Sequence, residues 1–473
     1  MTANITDYLV LLFYLSIIFT IAFYSRKKKY GNSDVNDQYL AGKSLTFTES
    51  ICSIIATEVS ALTFLGIPSF TLGKDYSFVQ IYFGAIIGRV FIAKLMLPLI
   101  YDKGLTIYSV MGQGGSHNGQ RAIASFYALN KFLAVGVRLF SGSILVAEFF
   151  NIGIYMAVFL ICCLTFVYTL IGGLKAVVRT DMLQMALFIS GGIIAHYLIP
   201  LNSEYTWSEL ISQASIAGKT SFIDFQNLTP FIIGVLGGIL FDMSTHGVDQ
   251  DFVQRLTANH SLKRAQQAIF LSGFLSVAVG FLFLSIGALL WAFYQHTPMP
   301  QMPNDKVFAY FITQYFPVGI KGLMVAGVLA ATMSTLDSTI NALSSTFHAD
   351  IFQRKVASEK LKTIFRNDTL LITFILMIVA FIASKSDGVL LLGLKITSWT
   401  AGSLLAIFFA TVVLRISKIS TQLVLGAYIT GPALVALNTF VLKWDWNFNV
   451  YLGFGASLIF CYLYSKLAQQ VTP

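Results

Sequence analysis

The sequence predicts an all-α integral membrane protein with about thirteen transmembrane helices, and two observations carry this prediction. Of the 473 residues, 56% are hydrophobic and only 11% are charged, whereas a soluble domain carries about 25% charged residues. The apolar residues also come in blocks of about twenty, the length at which a helix crosses the hydrocarbon of a bilayer. This composition excludes an ordinary soluble enzyme.

Charged residues and Gly/Pro/Asn-rich breaks separate the apolar blocks. The first block has no basic residue before it and is followed by Arg26-Lys27-Lys28-Lys29. This is the opposite polarity to a cleaved signal peptide, so the block is predicted to be a retained anchor. The predicted spans are 6–24, 48–72, 79–100, 122–149, 153–173, 180–200, 228–246, 265–294, 318–348, 368–384, 388–413, 420–441 and 447–466.

The basic residues predict the orientation of the chain. There are 31 Lys and Arg residues against 22 acidic residues, a net charge of +9. If the N-terminus lies outside and the C-terminus in the cytoplasm, most of the basic residues fall in cytoplasmic loops, as the positive-inside rule requires. The positive charge therefore reflects topology in the cell (inner) membrane and predicts no nucleic-acid partner.

Motifs for catalysis and nucleotide binding are missing from the sequence. Ala41-Gly42-Lys43-Ser44 resembles the end of a phosphate-binding loop, but the position that requires glycine, five residues before Gly42, is Asp37. The six histidines are scattered, and the four cysteines lie inside apolar blocks without disulfide or metal spacing. We expect no enzyme, no nucleotide partner and one transmembrane domain over residues 1–473.

The predicted span 318–348 carries a long polar stripe. Its spacing places every member on one face of a helix with 3.6 residues per turn, and such a face cannot lie against lipid. The stripe can be explained by hydrogen bonds between helices. It can equally be explained by a binding site for a hard cation such as Na⁺, which oxygen atoms coordinate. Both interpretations stay open. The members are Ser334, Asp337, Ser338, Asn341, Ser345 and His348.

Two predicted spans are interrupted by polar and glycine residues. The span 48–72 contains the polar break Ala56 to Pro68, and the span 228–246 contains Gly234, Gly237 and Gly238 before Asp242 to His246. Each opens a group of five helices, 48–200 and 228–413, which is the signature of an inverted-repeat transporter. The alternative is two ordinary helices that glycine and proline kink.

Several segments resemble a known family. Tyr168 to Ala176 (YTLIGGLKA) and Arg179 to Gln184 (RTDMLQ) are similar to the signature of the sodium/solute symporter family, whose members transport sugars, proline, pantothenate, iodide and sialic acid. Ala56 to Pro68, Asp249 to Arg255 and Ala331 to Asp350 agree with it. The resemblance covers essentially the whole chain. It implies a LeuT-type 5+5 inverted repeat with one N-terminal and two C-terminal extra helices, working as a Na⁺-driven symporter by alternating access.

The resemblance also implies two cation sites, with Na⁺ as the coupling ion. The site called Na2 in this family maps onto carbonyl and hydroxyl oxygens of two helices, and a second site maps onto residues that include two acids. Asp337 departs from the serine usual in the family, so this second site could bind Na⁺ or a proton. The Na2 residues are Ala56, Val59, Ala331, Ser334 and Thr335, and the second set is Asp181, Ser334, Asp337 and Ser338.

The substrate positions of the family map onto a third set of residues. Neutral polar residues are usual at the position of Glu58, and the Gln/Asn pattern of the sugar transporters is not evident. Because the planar guanidinium of Arg138 suits a carboxylate, a small carboxylate or zwitterion is the expected substrate. In the alternative interpretation, Glu58 neutralises Arg138 or Lys395 and none of these three contacts substrate. The mapped residues are Glu58, Ser60, Thr63, Phe78, Tyr82, Arg138 and Lys395.

The expected partners are therefore a small-molecule solute, sodium ions and the lipid bilayer. Two other functions stay open at this point. A sensor on a transporter fold would keep the cavity without transport, and a proton could replace Na⁺ as the coupling ion for a sugar or another neutral solute.

Overall fold

The computed structural model describes residues 4–26, 39–354, 358–385 and 389–471. Over these ranges the chain is helical, with an isolated bridge between Leu45 and Asn259 as its extended pairing, so the all-α prediction is confirmed. Ten helices of the described residues are long and apolar enough to cross a membrane, or twelve if each of two bent pairs is one span. The expectation of about thirteen spans stays a prediction.

The helices begin at side-chain caps that the sequence supplies. Thr46 and Glu49 form a capping box ahead of the second helix, and Ser116, Ser261 and Ser420 cap later ones. In chain order the helices are α1 (Ile5–Arg26), α2 (Phe47–Glu58), α3 (Leu62–Gly73), α4 (Val79–Ile100), α5 (Ile107–Met111), α6 (His117–Phe150), α7 (Ile154–Leu201), α8 (Trp207–Ile216), α9 (Thr229–His246), α10 (Gln250–Thr257), α11 (Leu262–His296), α12 (Asn304–Tyr315), α13 (Ile320–Ile351), α14 (Ser358–Ala383), α15 (Leu390–Val413), α16 (Thr421–Leu442) and α17 (Phe448–Val471).

One predicted interruption is present inside its span, as a bend between α2 and α3 within the polar break Ala56 to Pro68. The second predicted interruption is misplaced, because α9 runs unbroken through Gly234, Gly237 and Gly238 and the bend follows only after His246. The axes of α2 and α3 differ by 57°, and those of α9 and α10 by 68°. The first bend occurs because Val59 leaves the helical region, with φ −80° and ψ 104°. At the second bend Asp249 starts a new helix, since its side chain accepts a hydrogen bond from the backbone N–H of Asp251. The division into repeats 48–200 and 228–413 stays a prediction.

The spans predicted at 153–173 and 180–200 join in the structure as one helical segment of 48 residues, α7. Within this segment Ile154–Leu170 and Leu174–Leu201 are distinct apolar helices, so the number of spans here stays a prediction. The hydroxyls of Tyr168 and Thr180 nevertheless bond to each other, although a straight helix would place them about 18 Å apart along its axis. A tyrosine side chain cannot bridge that distance, so α7 bends back on itself near Gly172-Gly173.

Two groups of helices meet around the interrupted spans. The helices α2, α4, α9 and α11 pack against one another, and we call them the bundle; α6, α7, α13 and α14 pack together as a second group, the scaffold. The bundle contacts the scaffold where α2 meets α7 and α13 and where α11 meets α7, and α10 also contacts α13. The whole polar stripe of α13 is buried, so its exclusion from lipid is confirmed.

Candidate cation and substrate sites

Two backbone carbonyls are freed where α2 ends. In a continuous helix the carbonyl of Ala56 would accept from the N–H of Ser60, but that N–H donates to Thr63 Oγ1 at 3.4 Å. The carbonyl of Val59 would accept from the N–H of Thr63, which donates instead to the carbonyl of Ser60 at 2.8 Å. Both carbonyls that the sequence assigned to Na2 have thus lost their helical donors, which is what a cation ligand requires.

The hydroxyl of Ser334 joins this break to the scaffold. Ser334 Oγ lies 3.2 Å from the carbonyl oxygen of Ala56 and 2.5 Å from Asp181 Oδ1. The next residue, Thr335, donates through Oγ1 to the carbonyl of Ala331, one turn earlier in α13, at 3.0 Å. The structure therefore brings Ser334 of α13 and the carbonyl of Ala56 together at the bundle–scaffold interface. That Val59, Ala331 and Thr335 complete the Na2 set stays a prediction.

The predicted second cation site contains a side chain that sequence reasoning missed, Arg255 of α10. Its Nε donates to Ser53 Oγ at 2.7 Å, its Nη2 donates to Ser338 Oγ, and the same nitrogen lies 3.5 Å from Asp181 Oδ2. Arg255 and Asp181 are both fully buried. A guanidinium thus lies beside the carboxylate where the sequence predicted a cation. The sequence feature that could have identified Arg255 is a charged residue within a bent apolar span, which normally has a partner or a function.

Asp337 sits at the edge of the same cluster. Its Oδ1 accepts from Ser338 Oγ at 3.3 Å, while its Oδ2 has no hydrogen-bond partner within the described parts of the chain. Asp181 acts on it electrostatically, and the hydroxyl of Tyr168 is close. No hydrogen bond joins the two carboxylates among the described residues, so their facing each other across one ion stays a prediction.

The predicted substrate residues of the α2–α3 break bond within the protein. Glu58 Oε2 accepts from Arg89 Nη2 at 2.7 Å and from Ser276 Oγ at 2.6 Å. The interpretation that Glu58 neutralises Arg138 or Lys395 is therefore wrong, because Arg89 occupies the carboxylate. Ser60 Oγ accepts from the N–H of Leu62 at 3.2 Å, so Ser60 and Thr63 stabilise the break itself.

Phe78 and Lys395 line a different place, an open cavity of about 600 Å³ between the bundle and α15. Lys395 is exposed there, and the ring of Phe78 stands edge-on to the ring of Tyr82 at 5.7 Å. We call this space the outer cavity. Its walls carry three lysines, one acid and three tryptophans, namely Lys74, Lys395, Lys443, Asp445, Trp399, Trp444 and Trp446.

Arg138 of α6 has neither a hydrogen bond nor an ion pair with any described residue. The acids that act on it electrostatically are Asp249, Asp251 and Glu58. The first two already bind Lys131, whose Nζ lies 2.8 Å from Asp249 Oδ2 and 3.0 Å from Asp251 Oδ2, and Glu58 binds Arg89. The guanidinium of Arg138 is therefore left without a carboxylate of its own.

Comparison with known proteins places this architecture in a family. The sequence profile of the Sodium:solute symporter family matches residues 38–431. The sodium/glucose cotransporter of Vibrio parahaemolyticus is 25% identical over 380 residues, covering 75% of this chain and 70% of that protein. Human sodium-coupled monocarboxylate transporter 2 is 26% identical over 461 residues, covering 92% and 73%.

Solved structures agree at the level of the fold. One described as the substrate-bound outward-open state of a Na⁺-coupled sialic acid symporter superposes with a TM-score of 0.87 at 20% identity, covering 98% of both chains. A nucleobase-cation-symport-1 family transporter in a closed conformation gives 0.61 at 15% identity, covering 94% of this chain and 96% of that one. The profile match extends over most of the chain, and the protein belongs to the sodium:solute symporter family.

Proposed function

We propose that the protein couples the entry of Na⁺ to the uptake of a small organic carboxylate or zwitterion by alternating access across the cell membrane. The observation that carries the coupling is the position of Ser334, whose hydroxyl contacts the freed carbonyl of Ala56 and the carboxylate of Asp181. Na⁺ bound among these oxygens would tie α2 of the bundle to α7 and α13 of the scaffold. Each Na⁺ moving inward through 100 mV contributes about 2.3 kcal/mol.

The substrate class rests on Arg138. An unpaired guanidinium inside a membrane protein is costly, and its planar fork matches a carboxylate through two parallel hydrogen bonds. A carboxylate substrate would supply the partner that the described residues do not. The lysines of the outer cavity support the same class, since they favour anions in that cavity.

Alternating access is supported by the asymmetry of the two sides. The outer cavity is open to solvent, whereas on the other side of the break α10 holds ion pairs with Lys131 of α6 and Asp181 of α7. With the N-terminus outside, the cavity faces outward and the ion pairs face the cytoplasm. Substrate would enter from the cavity, and parting of these ion pairs would release it inside.

A thermal-shift screen of the purified protein tests the proposed function. Small carboxylates, amino acids, acidic sugars and neutral sugars are compared, each in Na⁺ and in K⁺. We expect stabilisation by an anionic or zwitterionic solute that requires Na⁺. Stabilisation by neutral sugars alone would contradict the substrate class, and equal stabilisation in both salts would contradict the coupling.

Ser334→Ala is expected to raise the Na⁺ concentration that gives half-maximal uptake, because it removes a ligand between Ala56 and Asp181. Loss of one hydroxyl contact of about 1 to 1.5 kcal/mol corresponds to roughly a five- to tenfold increase. Ser345→Ala is the matched control, since Ser345 is equally buried on α13 but bonds only within its own helix. Uptake that is equally fast in choline and sodium buffers, at fixed voltage and pH, would refute Na⁺ coupling.

Lys395→Gln is expected to raise KM for an anionic substrate by a modest factor that shrinks at high salt, because an exposed lysine attracts through a screened field. The maximal rate should stay unchanged. Lys385→Gln removes another exposed lysine that does not line the outer cavity and is the control. A KM change in both variants, or in neither, would refute the role of Lys395 in attracting the substrate.

A further inference from the structure

A second buried cluster of charges lies inside the bundle. Arg89 of α4 contacts Glu58 Oε2 of α2 at 2.7 Å and Asp242 Oδ1 of α9 at 3.3 Å. Its Nη1 donates to Ser272 and Ser276 of α11 at 2.8 and 3.2 Å. All four bundle helices therefore meet at this arginine. We call Glu58, Arg89, Asp242 and His246 the bundle cluster.

His246 lies between the two acids of this cluster. Its Nδ1 is 3.0 Å from Asp242 Oδ1, and its Nε2 is 3.2 Å from Arg89 Nη2 and 3.6 Å from Glu58 Oε2. A neutral imidazole satisfies these contacts, because Nδ1–H can donate to Asp242 while the lone pair of Nε2 accepts from Arg89. The cluster then carries two carboxylates against one guanidinium, a net charge of −1.

The excess charge is located at Asp242. Its Oδ2 is buried and has no hydrogen-bond partner in the described parts of the chain. The oxygen faces Gly88, where an added Cβ would stand 3.3 Å from it, so it lies against a backbone that provides no countercharge. A buried carboxylate oxygen without a donor is costly, and a proton would remove that cost.

We propose that Asp242 and His246 together bind one proton, and that this proton opposes the binding of Na⁺ at the Na2 position. The proton belongs to the pair, since it can reside on the free oxygen of Asp242 or on Nε2 of His246, facing Glu58. Either location brings the charge of the bundle cluster to zero. This inference rests on the Na⁺ site of the proposed function and adds a proton to it.

The bundle cluster is linked to the Na⁺ site through neighbouring residues of α2. Glu58, which shares Arg89 with Asp242, stands between Ala56 and Val59, the two residues whose carbonyls are freed. A cluster charge of −1 favours a cation there, and a neutral cluster removes this attraction. Na⁺ should consequently bind more tightly as pH rises, and Na⁺ binding should release a proton.

The other groups around the pair do not replace the proton. On α4, the charge of Arg89 is already included in the net charge of −1, and Tyr82 is uncharged at neutral pH. From α10, Phe252 presents its ring at 4.0 Å from the ring of His246, and α11 presents the hydroxyls of Ser272 and Ser276. Arg138 of α6 acts on Glu58 only from a distance. Among the described residues, no second cation touches Asp242.

The experiment measures Na⁺ affinity of the purified full chain by thermal shift from about pH 5.5 to about pH 8.5. For the wild type we expect the Na⁺ dissociation constant to fall with rising pH, by at most about tenfold per pH unit for one linked proton. Asp242→Asn should make the affinity independent of pH over this range. Asp350→Asn, which alters a buried acid held by Thr106 and Gln120, should keep the slope of the wild type.

A measurement without any variant keeps the test independent of folding. Adding NaCl to weakly buffered wild-type protein should release protons, read with a pH-sensitive dye, and KCl should not. If Asp242→Asn does not fold, His246→Gln should reduce this release. Na⁺ binding with no proton release and no pH dependence would overturn the proton site and leave Na⁺ coupling standing. A loss of one bound Na⁺ in Asp242→Asn would also overturn it, whereas no Na⁺ binding at any pH would overturn the proposed function instead.

Discussion

Arg138→Gln is expected to weaken substrate binding by at least about 30-fold while Na⁺ still stabilises the protein. Removing one partner of a buried, hydrogen-bonded charge pair costs about 2 to 5 kcal/mol, and the partner here would be the carboxylate of the substrate. Because Arg138 has no carboxylate of its own among the described residues, its loss should leave expression and thermal stability almost intact. Substrate-dependent and Na⁺-dependent thermal shifts, measured on the same preparation, separate the two effects.

Two further variants sharpen this test. Arg138→Lys keeps the charge without the planar fork, so its binding should lie between those of the wild type and Arg138→Gln. If Arg138 were half of a structural pair with Glu58, then Glu58→Gln would rescue the stability of Arg138→Gln. We expect no such rescue, since Glu58 binds Arg89. A destabilised Arg138→Gln protein that Glu58→Gln restores would disprove the substrate role.

Arg89→Met should cause the largest loss of stability of any change discussed here. It leaves the carboxylates of Glu58 and Asp242 buried without their cation, and breaking a buried pair in this way costs about 3 to 5 kcal/mol. The expected outcome is a large drop in thermal stability in detergent and poor expression. Combining it with Glu58→Gln and Asp242→Asn removes the uncompensated charges and should recover part of the stability.

Arg121→Met is the matched control for that variant. Arg121 is exposed and donates to the carbonyl of Ile351 at 2.8 Å, so its removal should cost at most about 1 kcal/mol. If the Arg89→Met protein were as stable as the Arg121→Met protein, the proposal that the bundle cluster holds the four bundle helices together would be refuted.

Local patterns were enough to predict the helical architecture, whereas the residues of the cation site came from the family resemblance and stay a prediction. The polar stripe of α13 follows from the period of a helix, and the bend between α2 and α3 follows from the polar residues that interrupt it. The bend before α10 lies beyond the glycines that predicted an interruption, because Asp249 starts a new helix there. Ser334 and the carbonyl of Ala56 meet because both lie at mid-span, where the resemblance placed them. For the stripe and the α2–α3 bend the relevant information is within about twenty residues of sequence, whereas Ser334 and Ala56 lie 278 residues apart.

The choice of partners among buried charges was beyond the sequence. The sequence offered Arg138 and Lys395 as partners of Glu58, but the packing of α4 against α2 selects Arg89 instead. Arg255 lies on α10, beyond the bend that follows α9, and the sequence does not give the direction in which α10 leaves that bend. Its ion pair with Asp181 could therefore not be predicted. Lys395 was assigned to the substrate site by the family resemblance, and the structure places it exposed in the outer cavity. A sequence does not reveal where helices leave space between them.

The short helix α10 contacts several elements at once. All eight of its residues are buried, and its side chains contact Lys131 of α6, Asp181 of α7, Ser53 of α2 and Asn341 of α13. Moving it away from any one of these neighbours strains the contacts with the others. Packed interfaces of this kind have two arrangements and no gradual path between them. Departure of α10 should therefore be cooperative, so that the protein passes between closed and open states without a leaky intermediate.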